Sequence, residues 1–147
     1  MDYQLKNNFL TVTLSDQGAE IQSVKDVNSG REYIWQADPK IWGRHAPVLF
    51  PVVGRLKDDQ YTYDGKTYHM GQHGFARDSK FTVEEQDDKH IVFLLTSNED
   101  TKNRFNLVAI SSSLNKSSFF PTIILFVSLS KAKTYRGSSL DIPNPFL

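Results

Sequence analysis

The sequence predicts an all-β fold, an antiparallel β-sandwich. Three observations carry this. Short runs rich in Val, Ile, Thr, Tyr and Phe recur through the first hundred residues. Turn signals such as Asn28-Ser29-Gly30 and Asp64-Gly65 separate them. No long stretch carries the three-to-four-residue apolar spacing of an amphipathic helix. Repeated short strands with turns are the pattern of a sandwich.

Taken in order, Phe9 to Leu14 alternates apolar and polar residues and reads as a strand. Asp16-Gln17-Gly18 turns the chain, and Ala19 to Val27 continues with Ala19, Ile21 and Val24 as its apolar positions. After the turn at Asn28-Ser29-Gly30, Glu32 to Trp35 reads as a short strand. Asp38-Pro39-Lys40 resembles a helix start, with Asp38 as N-cap and Pro39 in the first turn, and Gly43 ends that helix within about one turn. Tyr61-Thr62-Tyr63 and Lys66-Thr67-Tyr68 flank Asp64-Gly65, a dipeptide that accepts the positive φ angles of a two-residue hairpin turn. A second hairpin joins Lys80 to Glu85 with His90 to Thr96 through residues 86–89. Beyond Asn103 the pattern blurs: Arg104 to Ile110 and Ile123 to Leu129 remain as strand candidates among serine-rich stretches. Ile142-Pro143-Asn144-Pro145 cannot continue a sheet.

At 147 residues the chain suits one domain with a real core. The polar start, Met1 to Lys6, has no apolar h-region, so no signal peptide is expected. The longest apolar stretch, Phe119 to Leu129, is interrupted by Pro121 and Ser128 and is far short of the roughly 20 residues of a membrane helix. The absence of cysteine removes disulfide and thiolate chemistry. A cytoplasmic location with no membrane partner is the expectation. The zero net charge hides an asymmetry. Residues 1–100 hold 11 basic and 16 acidic residues, a balance of −5, and residues 101–147 hold six and one, a balance of +5. The late bases are scattered among Ile, Leu and Phe rather than clustered, so no nucleic-acid partner is expected.

The chemistry-bearing residues lie in two segments, Pro51-Val52-Val53-Gly54-Arg55 and Gln72-His73-Gly74-Phe75-Ala76-Arg77-Asp78. An aldose offers a ring of hydroxyls, and its phosphate ester adds an anion. A guanidinium presents five donors in a rigid fork that bridges either. Imidazole near neutral pH both donates and accepts. Arg55, His73 and Arg77 are therefore the candidate binding residues. Each also has a plainer reading, as a solvated arginine, a surface histidine in a Gly-rich turn, and an ion pair of Arg77 with Asp78. His45 precedes the first segment, while His69 and His90 fall on strands. The histidines lack metal-type spacing with carboxylates, so no metal or cofactor is expected. Glu84-Glu85 and Asp87-Asp88 read as a solvated hairpin tip.

These segments resemble the aldose 1-epimerase (galactose mutarotase-like) family in its LacX-like branch. Gly18 to Ser23 is similar to the family's early strand, and Trp35, Asp38-Pro39 and Trp42 to the segment after it. Pro47 to Arg55 is similar to its "PxLFPxxGR" stretch and Gln72 to Asp78 to its "xHGFARD" stretch. The likeness runs over about residues 9–103. It implies a galactose mutarotase-like supersandwich, and an isomerase that interconverts the α and β anomers of an aldose. It further implies sugar contact by the residues matching Arg55 and His73, and a pocket position, or a phosphate contact, for Arg77. The partner it implies is a small-molecule sugar or sugar phosphate. In the family a glutamate takes the C1 hydroxyl proton and a histidine protonates the ring oxygen. Neither has a match here: no histidine follows His90 and no glutamate follows Glu99. No catalytic residue is therefore assigned. The expectation is a truncated sandwich, with residues 1–103 as its N-terminal part. Residues 104–147 would be a divergent tail read out of the ancestral frame, or else a genuine divergent C-terminal module.

Overall fold

The computed structural model describes residues 1–105 and 122–130. Among these residues, eight strands and one short α-helix follow in order: β1 (Asp2–Lys6), β2 (Leu10–Ser15), β3 (Ile21–Asp26), β4 (Gln60–Tyr63), β5 (Lys66–His69), β6 (Thr82–Gln86), β7 (His90–Thr96), α1 (Glu99–Arg104) and β8 (Thr122–Ser128). They form two three-stranded sheets, β1-β2-β3 and β6-β7-β8, and the separate hairpin β4-β5, with every strand pair antiparallel.

Alternation decides which faces meet. Along β2, Leu10, Val12 and Leu14 are buried, and along β7 so are Ile91, Phe93 and Leu95. All of these except Leu10 join Leu5, Ala19, Met70, Phe75, Ala76, Phe81 and Leu129 in one core. The Tyr3 ring meets Phe93 edge-on at 5.7 Å between centroids, which ties the first sheet to the last. Hydrogen bonds stitch the same seam. Lys6 N–H donates to Asp88 O at 2.7 Å, and the Asn7 side-chain amide donates to Leu129 O at 2.9 Å. The antiparallel sandwich expected from the alternation is present. Among the described residues no helix is long and apolar enough to cross a membrane.

The hairpin turns follow the residue chemistry. Asp64 and Gly65 both take positive φ, 47° and 70°, as a two-residue turn requires. Lys66 stands over the Tyr68 ring at 5.1 Å, and Tyr61 stacks on Tyr68 at 5.2 Å across the hairpin. At the β6–β7 turn one Asp87 carboxylate oxygen accepts from the backbone N–H groups of Lys89 and His90, each at 2.7 Å. The His90 ring lies beside the same carboxylate at 3.0 Å. The Lys89 amide, then the His90 side chain, hold the Asp87 carboxyl down at about 2. A folded value below the unfolded one of about 3.9 means that this carboxylate stabilises the fold above that pH. The contribution fades as pH falls toward 2. Asp87→Asn keeps the shape and removes the titration. Its melting temperature is expected to fall below wild type at pH 7 and to converge with it near pH 2. A gap that is equal at both pH values would contradict the assignment.

Three local expectations are corrected. Glu32 to Trp35 is not a strand: Glu32 makes a single bridge to Lys25. The Glu32 carboxylate itself takes the amides of Val24, Tyr33 and Ile34 at 2.8, 3.1 and 3.1 Å, competing with a ladder for its donors. Burial raises the pKa of Glu32, but the Ser23 hydroxyl and these amides outweigh it and leave the carboxyl below its ordinary value. Asp38 does cap, through Lys40 N–H at 2.9 Å, yet what forms is an isolated turn closed by Ile41 and Trp42 amides on Asp38 O. Arg104, placed in a strand by its sequence, ends α1 instead, and residues 106–110 of that candidate lie outside the described residues. The other late candidate, Ile123 to Leu129, coincides with β8, which pairs with β7 from Thr122 opposite Thr96 to Ser128 opposite His90.

Candidate functional site

The two chemistry-bearing segments, about twenty residues apart in sequence, are clasped together by backbone bonds. Phe75 and Ala76 N–H both donate to Phe50 O, at 2.9 and 3.2 Å, and His73 N–H donates to Gly54 O at 2.9 Å. Phe50 and Gly74 form an isolated parallel bridge. The approach is possible because residue 74 is glycine. A Cβ there would overlap the Phe50 carbonyl and lie 2.6 Å from Pro51 Cδ. Gly74 also sits at φ 72°.

His73 precedes it in the same left-handed region, φ 68°, which few non-glycine residues occupy. Its ring Nδ1 pairs with the Val53 carbonyl. A carbonyl only accepts, so this partner assigns the proton to Nδ1 and leaves Nε2 for other chemistry. The half-buried His73 thus bridges both segments by main chain and ring.

Arg55 lies on the same clasp, one residue past Gly54, with its side chain 64% exposed. Asp59 orients it: Arg55 Nε and Nη2 donate to the two carboxylate oxygens at 2.7 and 2.6 Å. That bond, together with the charge beside it, raises the arginine pKa and lowers that of Asp59. Asp59 is held in turn by the β4–β5 hairpin, since its carbonyl accepts from Met70 N–H at 2.8 Å. The remaining fork nitrogen of Arg55, Nη1, has no partner among the described residues. Beneath the clasp, Phe50 meets Phe75 and Phe105 edge-on at 6.3 and 6.2 Å, and Tyr61 lies 6.2 Å from Phe105. This aromatic floor fixes the clasp from below.

Arg77 stands in a one-turn 3-10 segment, Ala76–Asp78, four residues past His73. Its Nε donates to Asp78 Oδ2 at 3.3 Å. No hydrogen bond or ion pair joins it to Arg55 or His73. The structure therefore brings Arg55 and His73 onto one clasp and sets Arg77 beside it. His45 contributes its backbone N–H to Glu20 Oε1 at 2.8 Å, His69 is exposed on β5, and His90 belongs to the distant β6–β7 turn. Among the described residues no group of three His, Asp or Glu side chains could hold a metal ion. Residue reading missed Asp59 and Arg44. A signal for Asp59 existed, because Arg55 and Asp59 have the i, i+4 spacing of an ion pair. Arg44 carried none.

The family model for aldose 1-epimerase matches residues 1–110. The LacX protein of Lactococcus lactis subsp. lactis (chromosomal form) is 36% identical over 110 residues, covering 71% of this chain and 36% of that protein. The chain thus spans about a third of the length of the curated relatives it matches. Among solved structures, a galactose mutarotase related enzyme from Lactobacillus acidophilus is 60% identical with a TM-score of 0.70, over 71% of this chain and 35% of that one. A galactose mutarotase-like protein from Lactobacillus casei is 33% identical with a TM-score of 0.78, over 89% of this chain and 40% of that one. The sandwich is accordingly a galactose mutarotase-like fold. With both segments lying inside the matched span, the chain belongs to the aldose 1-epimerase family.

Proposed function

We propose that this chain carries the sugar-contacting part of an aldose 1-epimerase-like isomerase, an enzyme that interconverts the α and β anomers of an aldose. The clasp that fixes His73 and Arg55 together is the observation that supports this most directly. In this reading Arg55 donates from Nη1 to neighbouring hydroxyls or a phosphate. His73 uses Nε2, which accepts from a hydroxyl when neutral and donates when protonated. Arg77 lines the same pocket. Residues 1–103 are the N-terminal part of the sandwich domain, and residues 104–147 are a divergent tail that contributes β8 to it.

Ring opening needs a base at the C1 hydroxyl and an acid at the ring oxygen, and a positioned pair contributes about 10²- to 10⁴-fold for each member. No histidine after His90 and no glutamate after Glu99 is available for those roles. That favours, for this chain alone, the second reading: sugar binding without catalysis, or an inactive truncated product. The test is titration with galactose, glucose and their 6-phosphates, followed by polarimetry. Saturable binding is expected, weakened about five- to tenfold by His73→Ala and by Arg55→Ala, with no accelerated mutarotation. Fast mutarotation by the pure chain would overturn the binding-only assignment. No affinity for any of the four sugars would overturn the sugar site and leave the inactive product.

A further inference from the structure

Arg44 sits where three groups converge. Its Nη2 donates to the Arg77 carbonyl at 2.8 Å, and its Nη1 donates to Asp78 Oδ1 at 2.9 Å. Its Nε lies 3.4 Å from Glu20 Oε2, an ionic contact without an aligned hydrogen bond. The Glu20 side chain is 8% exposed. Its other oxygen accepts from the backbone N–H groups of His45 and Ala46 at 2.8 and 2.9 Å. A buried carboxylate with two amide donors and an arginine is satisfied and stiff.

The far side of the same carbonyl is closed by Gly18. A Cβ at Gly18 would stand 2.5 Å from Arg77 O, and Gly18 takes φ 72°. Gly18 N–H donates to Ser79 O at 2.7 Å, and the Gln17 side-chain amide donates to Asp78 O at 2.8 Å. The turn that carries Arg77 is therefore held on the main chain by Gln17, Gly18 and Arg44. The Arg77 guanidinium itself is tethered only through Nε among the described residues.

We infer that Glu20 and Arg44 are positioning residues for Arg77: they fix the Arg77 carbonyl and the Asp78 carboxylate that its Nε meets, without meeting the ligand themselves. The inference rests on the proposal that Arg77 faces the sugar. Lysine at 44 keeps the charge but is a single ammonium, and it cannot serve two acceptors in a planar fork while facing Glu20. Glu20→Gln keeps the acceptor for His45 and Ala46 and loses the charge that faces Arg44.

The test compares Arg44→Lys, Glu20→Gln, Arg77→Ala and each of the two doubles with Arg77→Ala, as the full chain, with galactose and glucose 6-phosphate as probes. Two readouts are taken. The first is the NMR signal of Arg77 Nε–H together with amide exchange over residues 76–79. The second is sugar affinity. Expected are a shifted Nε–H signal, faster exchange at those amides and about tenfold weaker binding in either single variant. In the Arg77→Ala background the binding loss should vanish, because positioning acts only through the side chain positioned. An unchanged Arg77 Nε–H and unchanged exchange would overturn the positioning role whatever the affinity. Binding losses that add fully to that of Arg77→Ala would overturn it too, since a general structural effect adds. If the loop signals shift while Arg77→Ala itself leaves both affinities intact, positioning stands and the sugar contact of Arg77 falls. If one single variant does not fold, the other gives the same readouts.

Discussion

Gly74→Ala is expected to lower stability by about 2–4 kcal/mol and to abolish the proposed sugar binding. Two costs combine. Alanine is strained at φ 72°, and its Cβ would overlap the Phe50 carbonyl. That carbonyl cannot withdraw freely, because it accepts from both Phe75 and Ala76. Phe50 also packs edge-on against Phe75 and Phe105, so moving it disturbs the aromatic floor. The strands lie outside the clasp, so the variant should keep its β-type circular dichroism at low denaturant while its urea midpoint falls. A midpoint within error of wild type would mean that the two segments do not meet as described.

Phe93→Ala is expected to cost about 3–5 kcal/mol, a large share of the roughly 5–15 kcal/mol by which a domain is held folded. Phe93 is fully buried on the middle strand of its sheet, opposite Val83 on one side and Leu125 on the other. Its ring touches Tyr3 at 5.7 Å and Phe81 at 6.5 Å between centroids, so its loss opens a cavity shared by both sheets. Phe93→Leu fills most of that volume and should cost about half as much. Urea titration of the three proteins measures the series. A loss below about 1 kcal/mol for the alanine variant would show that the sheets do not pack through this ring.

The parts of this fold that could be read in the sequence are those whose cause is local. Asp64-Gly65 announces its hairpin because the turn needs two positive φ angles and those residues accept them. Alternation in Leu10 to Leu14 and His90 to Thr96 gives the two central strands their buried faces. β1 escaped notice because only Tyr3 and Leu5 mark its inner face among polar residues. Helix α1 had a readable start: Asn98 and Thr101 exchange side-chain to backbone bonds as a capping box, with Glu99 and Asp100 in the first turn. Six residues are too few for a helical period to emerge. Residue type and likeness singled out Arg55, His73 and Arg77. The environment of the site was not legible, because it is made by tertiary contact. Arg44 reaches Arg77 across 33 residues and Glu20 reaches Ala46 across 26, and nothing in either stretch announces the meeting.

The bond from Asn7 to Leu129 closes a span of 122 residues, and it has a bearing on how the chain reaches its final state. Each hairpin joins near neighbours and can form on a microsecond scale as soon as its residues are available. Leu129, 6% exposed in the core and bonded to Lys89 through its own N–H, can take its place only after everything between has been made. During synthesis β7 therefore waits with one hydrogen-bonding edge open, and Ile91 and Phe93 wait beside it. An open apolar edge is the species most prone to pair with another molecule. Soluble yield should thus respond to chain concentration and temperature during that interval as much as to the stability of the finished sandwich.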